Sequence, residues 1–335
     1  MKNLYLRMKI AIVGATGLVG QNIINLCQQF FSSDVEYTFF ASSKSAGKKL
    51  KINQSELTVK ELNKENIESY NIALFSAGGE RSKEFANIFI ENGSFVVDNS
   101  SAFRMNESVP LVVYGVNQNI ITKDTKLISN PNCTTMGLVM ALKPLHDQYN
   151  LKAITPVAYQ AVSGSGSNGI LSLQREIEMG DNLKPDYTEG YYTNPIARNV
   201  IPLAGNLLDN GYSDEEMKFC NESRKILDID DLIVEPSNAR VGVVTGHGTF
   251  CSAVFENTID IKEAINVLNS FEGVEYWDKS LPTPLDAEGR NEVLVSRLRK
   301  GLSSNKIINF WVVSDNLLKG ATLNAVQIAK HISEL

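Results

Sequence analysis

The chain is poor in cysteine and histidine and has no long run of one charge. Its 335 residues hold four cysteines, Cys27, Cys133, Cys220 and Cys251, widely separated and never in Cys-x-x-Cys spacing. That spacing argues against a disulfide framework or a Cys-rich zinc site and favours a reducing compartment, the cytoplasm. No metal is expected. The net charge is −6 with no basic stretch, so nucleic-acid binding has no compositional support. No apolar run reaches the length needed to cross a bilayer. Met1 to Arg7 lacks both a long apolar segment and a small-residue cleavage site, which argues against a secretory signal. The first regular strand begins directly after Met8, which marks Met8 as an alternative start.

What is present is ordinary for a globular protein: 43% hydrophobic and 21% charged residues, in a length that suits two domains. Lys9 to Val13 is a β-branched apolar run of the kind buried in parallel sheets, followed by the helical pattern Gln21 to Phe31. Val35–Ala41, Asn71–Ser76, Ser94–Asp98 and Thr125–Ile128 read as further strands, with a helix over Arg81–Asn92 closed by Gly93. This alternation predicts a doubly wound parallel sheet. From Cys133 onward the texture changes. Met136–Tyr149, Asp214–Leu227, Ile261–Phe271 and Leu317–Leu335 read as helices. Ala153–Ala161 reads as a strand broken by Ser163-Gly164-Ser165-Gly166-Ser167. Val241–Val244, Thr249–Glu256 and Lys306–Val313 read as longer alternating strands, more like an antiparallel sheet.

Gly14-x-x-Gly17-x-x-Gly20 follows the first strand and opens the first helix. Glycines there allow a tight turn and a close approach of backbone to a pyrophosphate held at the helix N-terminus. The second strand ends in Ser42-Ser43-Lys44-Ser45, without the acid that binds a ribose 2′-hydroxyl. Hydroxyls and a cation suit a 2′-phosphate, so the cofactor expected is NADP.

Cys133 sits in Asn130-Pro131-Asn132-Cys133-Thr134-Thr135, where a loop gives way to a helix. A thiol at a helix N-terminus faces unpaired N–H groups and the positive end of the dipole, which favour the thiolate. A thiolate can hold an acyl group as a thioester. The competing reading is a buried cysteine acting as a small hydrophobe.

Taken in order, these motifs resemble the aspartate-semialdehyde dehydrogenase family. The resemblance is carried by Gly14 to Gly20, Phe75-Ser76-Ala77-Gly78-Gly79, Asp98 to Met105, Asn130 to Thr135, Gln160-Ala161-Val162-Ser163-Gly164, Pro282 to Asp286 and Asp315 to Gly320. It implies a Rossmann-like domain over residues 1–132, completed by a C-terminal helix over 316–335. It implies an α+β second domain over 133–315, similar to that of glyceraldehyde-3-phosphate dehydrogenases and joining a homodimer. The activity implied is NADPH-dependent reduction of aspartyl 4-phosphate to aspartate 4-semialdehyde, on the route to lysine, threonine, methionine and diaminopimelate.

By resemblance, Cys133 is the nucleophile, Gln160 positions the acyl group and His247 is an acid/base group able to take the thiol proton. Arg104 matches a phosphate-binding arginine and Arg240 an arginine that forks onto the α-carboxylate. Glu215 and Lys218, on one face of a helix, match groups for the substrate ammonium and phosphate, and Asn132 completes the substrate set. NADP is placed against Gly14, Thr16, Gly17, Leu18, Val19, Lys44, Ser45, Ser76, Gly78, Ser163, Gly164 and Asn316. The chain departs from the family pattern at Lys44, where arginine is common, at Tyr114-Gly115, and at Gly242 and Thr245. Two competing readings are a reductase of N-acetylglutamyl phosphate, whose uncharged amide would leave Glu215 without a partner, and a non-catalytic NADP-binding regulator.

Overall fold

A computed structural model describes residues 7–335; Met1 to Leu6, and with them most of the segment read for a secretory signal, lie outside the described residues. The chain forms two compact units. One takes the N-terminal part up to Pro131 together with Ala321–Leu335, and the other takes Asn132–Gly320.

The first unit is built on a six-stranded sheet in which every neighbouring pair is parallel. Its spatial order is Lys60–Glu61, Glu36–Ala41, Lys9–Val13, Ile72–Phe75, Phe95–Asp98 and Leu127–Ser129. The order reverses between Lys9–Val13 and Ile72–Phe75, and this is the crevice where doubly wound sheets bind ligands. Both strands are almost wholly buried, which explains their unbroken apolar sequences. Helix α1 (Leu18–Phe30) follows the first strand and α2 (Gly79–Glu91) the Ile72–Phe75 strand. Gly93, at φ +92°, stands just after α2 in the left-handed conformation that closes a helix. Beneath α2, the rings of Phe40, Tyr70, Phe75 and Phe89 pack mostly edge to face. The C-terminal helix Asn324–Ile332 packs on α1, and the Asn324 amide ties it to the chain at Val112 and Tyr114.

The second unit is a mixed sheet covered by helices. Its central strand, Leu151–Gln160, pairs parallel with Ser237–Val241 and antiparallel with His247–Phe255. The latter pairs antiparallel with Ile307–Ser314, which pairs with Val293–Lys300. Helix α3 (Cys133–Tyr149) packs on this sheet and against α5 (Asp214–Leu227) and α6 (Ile261–Ser270).

Several elements differ from expectation. The strand expected over Val241–Val244 is instead Ser237–Val241, and the chain turns at Gly242, where a side chain would meet the Ile196 carbonyl oxygen at 2.9 Å. Helix α3 begins at Cys133 rather than Met136. Helix α4 (Gly166–Met179) was not legible because its buried stripe is Gly169, Ser172, Leu173 and Glu176, three of which are not apolar. The strand Val293–Lys300 shows no clean alternation, because its first four residues are all buried and the pairing slips between Ser296 and Arg299. The last helical stretch opens with a π-helical turn over Leu318–Leu323.

Gly20, inside α1, carries no side chain because a Cβ there would stand 2.2 Å from the Gly14 carbonyl oxygen. Gly20→Ala should therefore destabilise the protein by about 1–3 kcal/mol despite alanine's better helix propensity. The midpoint of urea unfolding measures the loss, and an unchanged midpoint would refute the crowding.

Candidate active site

Strand register assembles one end of the second sheet. Arg240 lies opposite Gln160, Gly248 opposite Tyr159, and His247 opposite Ser314. Arg240, Gln160 and His247 thus stand together at the same end of three adjacent strands, though 80 residues separate Gln160 from Arg240. All three are buried.

Cys133 is the first residue of α3 and is partly exposed. Asn132 caps that helix: its side-chain oxygen accepts from the Thr134 and Thr135 N–H groups at 3.0 and 3.3 Å. Its own amide groups reach α5. The backbone N–H donates to Glu222 at 2.6 Å, and the side-chain NH₂ donates to Glu215 at 2.9 Å. Gly320 packs on the other side of Cys133, where a Cβ would fall 2.6 Å from that of the cysteine.

Glu215 is the hub of the polar groups. It accepts from Lys218 on the same helix, from Asn132, and at 3.4 Å from Gln160. Burial alone would raise its pKa. The Lys218 ammonium, the Asn132 hydrogen bond and the Arg240 charge outweigh burial and hold the carboxyl below its ordinary value. Arg240 donates to the Ala161 carbonyl at 2.7 Å, while its Nε has no protein partner. The Tyr192 ring centre lies 6.0 Å from the Arg240 guanidinium carbon, and its hydroxyl donates to Ser165 at 3.1 Å.

His247 accepts the Ala161 N–H at Nδ1, 3.0 Å away. Its Nε2 is buried without a protein partner. Burial and the Arg240 charge pull its pKa down to about 3. The loop before it is braced by Asn316, whose side-chain oxygen accepts the Gly246 N–H at 2.8 Å and whose NH₂ donates to Ser163 at 2.9 Å. A cavity of about 410 Å³ opens over Arg240, Glu215 and Gly164, walled by Tyr191, Tyr192 and Leu203. A buried guanidinium and a carboxylate on one wall suit a small zwitterion.

The first unit holds the remaining predicted residues. Gly14 approaches Ser76 so closely that a Cβ would lie 2.6 Å from the Ser76 carbonyl oxygen. Gly17 caps α1 without any side-chain hydrogen bond, and the first turn, with Leu18 and Val19, carries no acid. Thr16 precedes that cap and Gly78, at φ +86°, begins the matching turn into α2. A helix N-terminus free of side-chain caps and acids, beside one crowded glycine turn at Gly14 and an open one at Gly78, fits a pyrophosphate. Lys44 and Ser45 lie in a short 3₁₀ turn, with Lys44 exposed. Arg104 is buried and donates to the Asn99 and Ser100 carbonyls. Among the described residues, no group of three His, Cys, Asp or Glu side chains is placed to hold a metal ion.

Residues 9–124 match the family profile described as the semialdehyde dehydrogenase NAD binding domain, and residues 142–319 match that of its dimerisation domain. The chain is 42% identical to an aspartate-semialdehyde dehydrogenase of Corynebacterium melassecola, over 96% of this chain and 98% of that one. It is 38% identical to one from Bacillus subtilis over 98% of both. The chain belongs to the aspartate-semialdehyde dehydrogenase family. The crystal structure of aspartate semialdehyde dehydrogenase II from Vibrio cholerae superposes with a TM-score of 0.93 at 38% identity, covering 98% of this chain and 99% of that one. The chain is therefore an oxidoreductase of the semialdehyde dehydrogenase type, with an NAD(P)-binding α/β domain and a mixed-sheet second domain. No helix among its described residues is long and apolar enough to cross a membrane.

Three residues escaped sequence reasoning: Glu222, Tyr192 and Gly320. A signal existed for two. Glu222 continues the 215, 218, 222 spacing along one helix face, and Gly320 closes the motif that begins at Asp315. Tyr192 sits in an irregular loop and gives none.

Because its folded pKa is lowered, Glu215 contributes stability that is full above the ordinary carboxyl pKa and lost as pH falls through the lowered value. Glu215→Gln should cost about 1–2 kcal/mol near neutral pH, with the gap from the parent protein closing on acidification. Urea unfolding across a pH series checks this, and a pH-independent gap would contradict it.

Proposed function

We propose that the protein catalyses NADPH-dependent reductive dephosphorylation of L-aspartyl 4-phosphate to L-aspartate 4-semialdehyde through a Cys133 thioester. This step would supply lysine, threonine, methionine and diaminopimelate synthesis in the cytoplasm. The observation that carries the reading is Cys133 as first residue of a side-chain-capped helix, anchored through Asn132 to the helix that bears Glu215.

The helix N-terminus favours the Cys133 thiolate. The thiolate attacks the acyl carbon, the new S–C bond forms, and the carbonyl electron pair moves to oxygen. Collapse restores the carbonyl and breaks the bond to phosphate, leaving the thioester on Cys133. NADPH, when bound, supplies the hydride that takes the acyl group to the aldehyde level. Collapse of the reduced adduct returns the thiolate and releases the semialdehyde. Gln160 orients the acyl group, and His247 is the catalytic imidazole at the same end of the sheet. Arg240 forks onto the α-carboxylate, and Glu215 receives the α-ammonium while Lys218 and Arg104 hold phosphate. Asn132 positions both the thiol and Glu215.

In this reading residues 1–132 with 316–335 form the NADP domain. Gly14, Thr16, Gly17, Leu18, Val19, Ser76 and Gly78 receive the pyrophosphate side, Lys44 and Ser45 the 2′-phosphate, and Ser163, Gly164 and Asn316 the nicotinamide side. Residues 133–315 carry the chemistry and join two copies into a homodimer, a reading supported by the dimerisation-domain match. Glu215, a carboxylate held ionised on the cavity wall, favours a substrate with a free ammonium over an N-acetylated one.

Purified protein should reduce NADP in the presence of aspartate semialdehyde and phosphate, and Cys133→Ala should abolish turnover. Activity surviving that substitution would remove the thioester, and a preference for N-acetylglutamate semialdehyde would move the chain to the other reductase. Lys44→Ala should raise KM for NADP about tenfold, equivalent to about 1.4 kcal/mol, with little change for NAD. Equal effects on the two cofactors would clear Lys44 of the 2′-phosphate.

A further inference from the structure

Helix α4 buries Gly169, Ser172, Leu173 and Glu176, of which only Leu173 is a large apolar residue. The face they form grips an irregular segment of chain. Glu176 is 1% exposed, and its carboxylate is answered by three donors. One oxygen accepts the Ile196 and Ala197 N–H groups at 2.6 and 2.9 Å, and the other accepts the Ser172 hydroxyl at 3.0 Å. The Ser172 oxygen in turn accepts the Tyr191 N–H at 2.9 Å. Gly190 lies so close that a Cβ there would stand 2.9 Å from a Glu176 oxygen. A buried carboxylate is costly unless donors answer it, whereas an apolar residue makes no such demand. Glu176 therefore fixes the path of residues 190–197 with directional bonds that an apolar contact could not supply.

The held segment carries Tyr192. Its ring lines the cavity, and the ring centre lies 6.0 Å from the Arg240 guanidinium carbon. Its hydroxyl donates at 3.1 Å to Ser165, the N-cap position of α4. Burial raises the phenol's pKa, so it keeps the hydrogen it donates. A Cβ on Gly169 would fall 2.6 Å from that hydroxyl oxygen, so this glycine of α4 leaves room for it. One helix thus holds Tyr192 twice, its flanking backbone through Glu176 and Ser172 and its hydroxyl through Ser165. Arg240 needs such a neighbour. Its Nη1 is tied to the Ala161 carbonyl at 2.7 Å, and its Nε has no protein partner. One hydrogen bond leaves a long side chain free to swing about it. A ring against the guanidinium removes that freedom and uses none of its N–H groups, because the aromatic face attracts the cation itself.

We propose that Tyr192 and Glu176 are positioning residues for the α-carboxylate end of the substrate: Glu176 holds the 190–197 segment, and Tyr192 on that segment keeps the Arg240 fork aimed into the cavity. The proposal rests on the dehydrogenase reading above and deepens it, naming what prepares Arg240 before the substrate arrives. An arginine ordered in advance loses little freedom on binding, so the effect belongs in KM rather than kcat.

Tyr192→Leu should raise KM for aspartate semialdehyde about tenfold, the scale of a desolvated cation–π contact, with kcat and KM for NADP within about twofold. Tyr192→Phe keeps the ring and should stay within about threefold of the parent protein. Glu176→Ala should raise the same KM. Glu176→Gln should restore it, because the amide oxygen still accepts the two N–H groups and the NH₂ can donate to Ser172. Should Glu176→Ala fail to fold, Ser172→Ala removes only the hydroxyl beneath Tyr191 and should raise KM in the same sense. In an Arg240→Lys background, which lacks the planar fork, Tyr192→Leu should add less than about twofold. An unchanged KM in Tyr192→Leu or Ser172→Ala, or a full tenfold effect in the Arg240→Lys background, overturns the proposal. Nitrogen NMR of the arginine side chains, with the Arg240 Nε–H assigned through Arg240→Lys, reads the contact without substrate. That resonance should move in Tyr192→Leu and hold in Tyr192→Phe, and a resonance indifferent to the ring also overturns the proposal. A protein that shows the shift yet is inactive on aspartate semialdehyde would refute the dehydrogenase reading separately.

Discussion

The site depends on a single joint, the cap at Asn132. Its side-chain oxygen satisfies two N–H groups at the start of α3, and its two donors reach the carboxylates of Glu215 and Glu222 on α5. An N-cap ordinarily closes one helix. Here it also sets the distance between the helix that presents the thiol and the helix that presents the acid. Burying Glu222 is tolerable because the Asn132 N–H answers it, and leaving that carboxylate unanswered would cost far more than the hydrogen bond contributes.

Charge is distributed around this joint with the same economy. Glu215 stays ionised in a buried setting because Lys218 and Arg240 stand near it and Asn132 and Gln160 donate to it. The Arg240 guanidinium is held by the Ala161 carbonyl and keeps its Nε unmatched, a donor available to a bound anion. His247, beside that cation and out of water, is driven neutral. The result is a wall with one anionic and one cationic anchor and an uncharged imidazole between them and the sheet. Ala161 serves both neighbours, giving its carbonyl to Arg240 and its N–H to His247, so the two side chains share one peptide segment as their reference.

Much of this was legible in the residues. The glycine turn, the parallel-sheet strands and the extent of α5 follow from local patterns: β-branched runs, glycine spacing and the Ser213 capping box with Glu216. What resisted was local as well. Helix α4 buries a glycine, a serine and a glutamate, so no apolar stripe announces it. The Val293–Lys300 strand is covered on both faces at one end and slips register at Arg299, which erases its alternation. The segment at Val241 to Val244 has strand-like composition, yet Gly242 must turn close to the Ile196 carbonyl.

By itself the sequence determined the residue types and their local settings: a thiol at a loop–helix junction, glycines where backbone must approach closely, and no acid beyond the second strand. These are short-range properties, decided by a few neighbouring dihedral angles and side chains. Only the tertiary structure decided which of these groups meet. Strand register brought Gln160, Arg240 and His247 to one sheet end across gaps of up to 87 residues. Helix packing put Glu222 on the cap of the Cys133 helix, and one peptide segment at Ala161 came to hold both Arg240 and His247. Such pairings arise from hydrogen bonds between segments distant in the chain, and no local pattern encodes them.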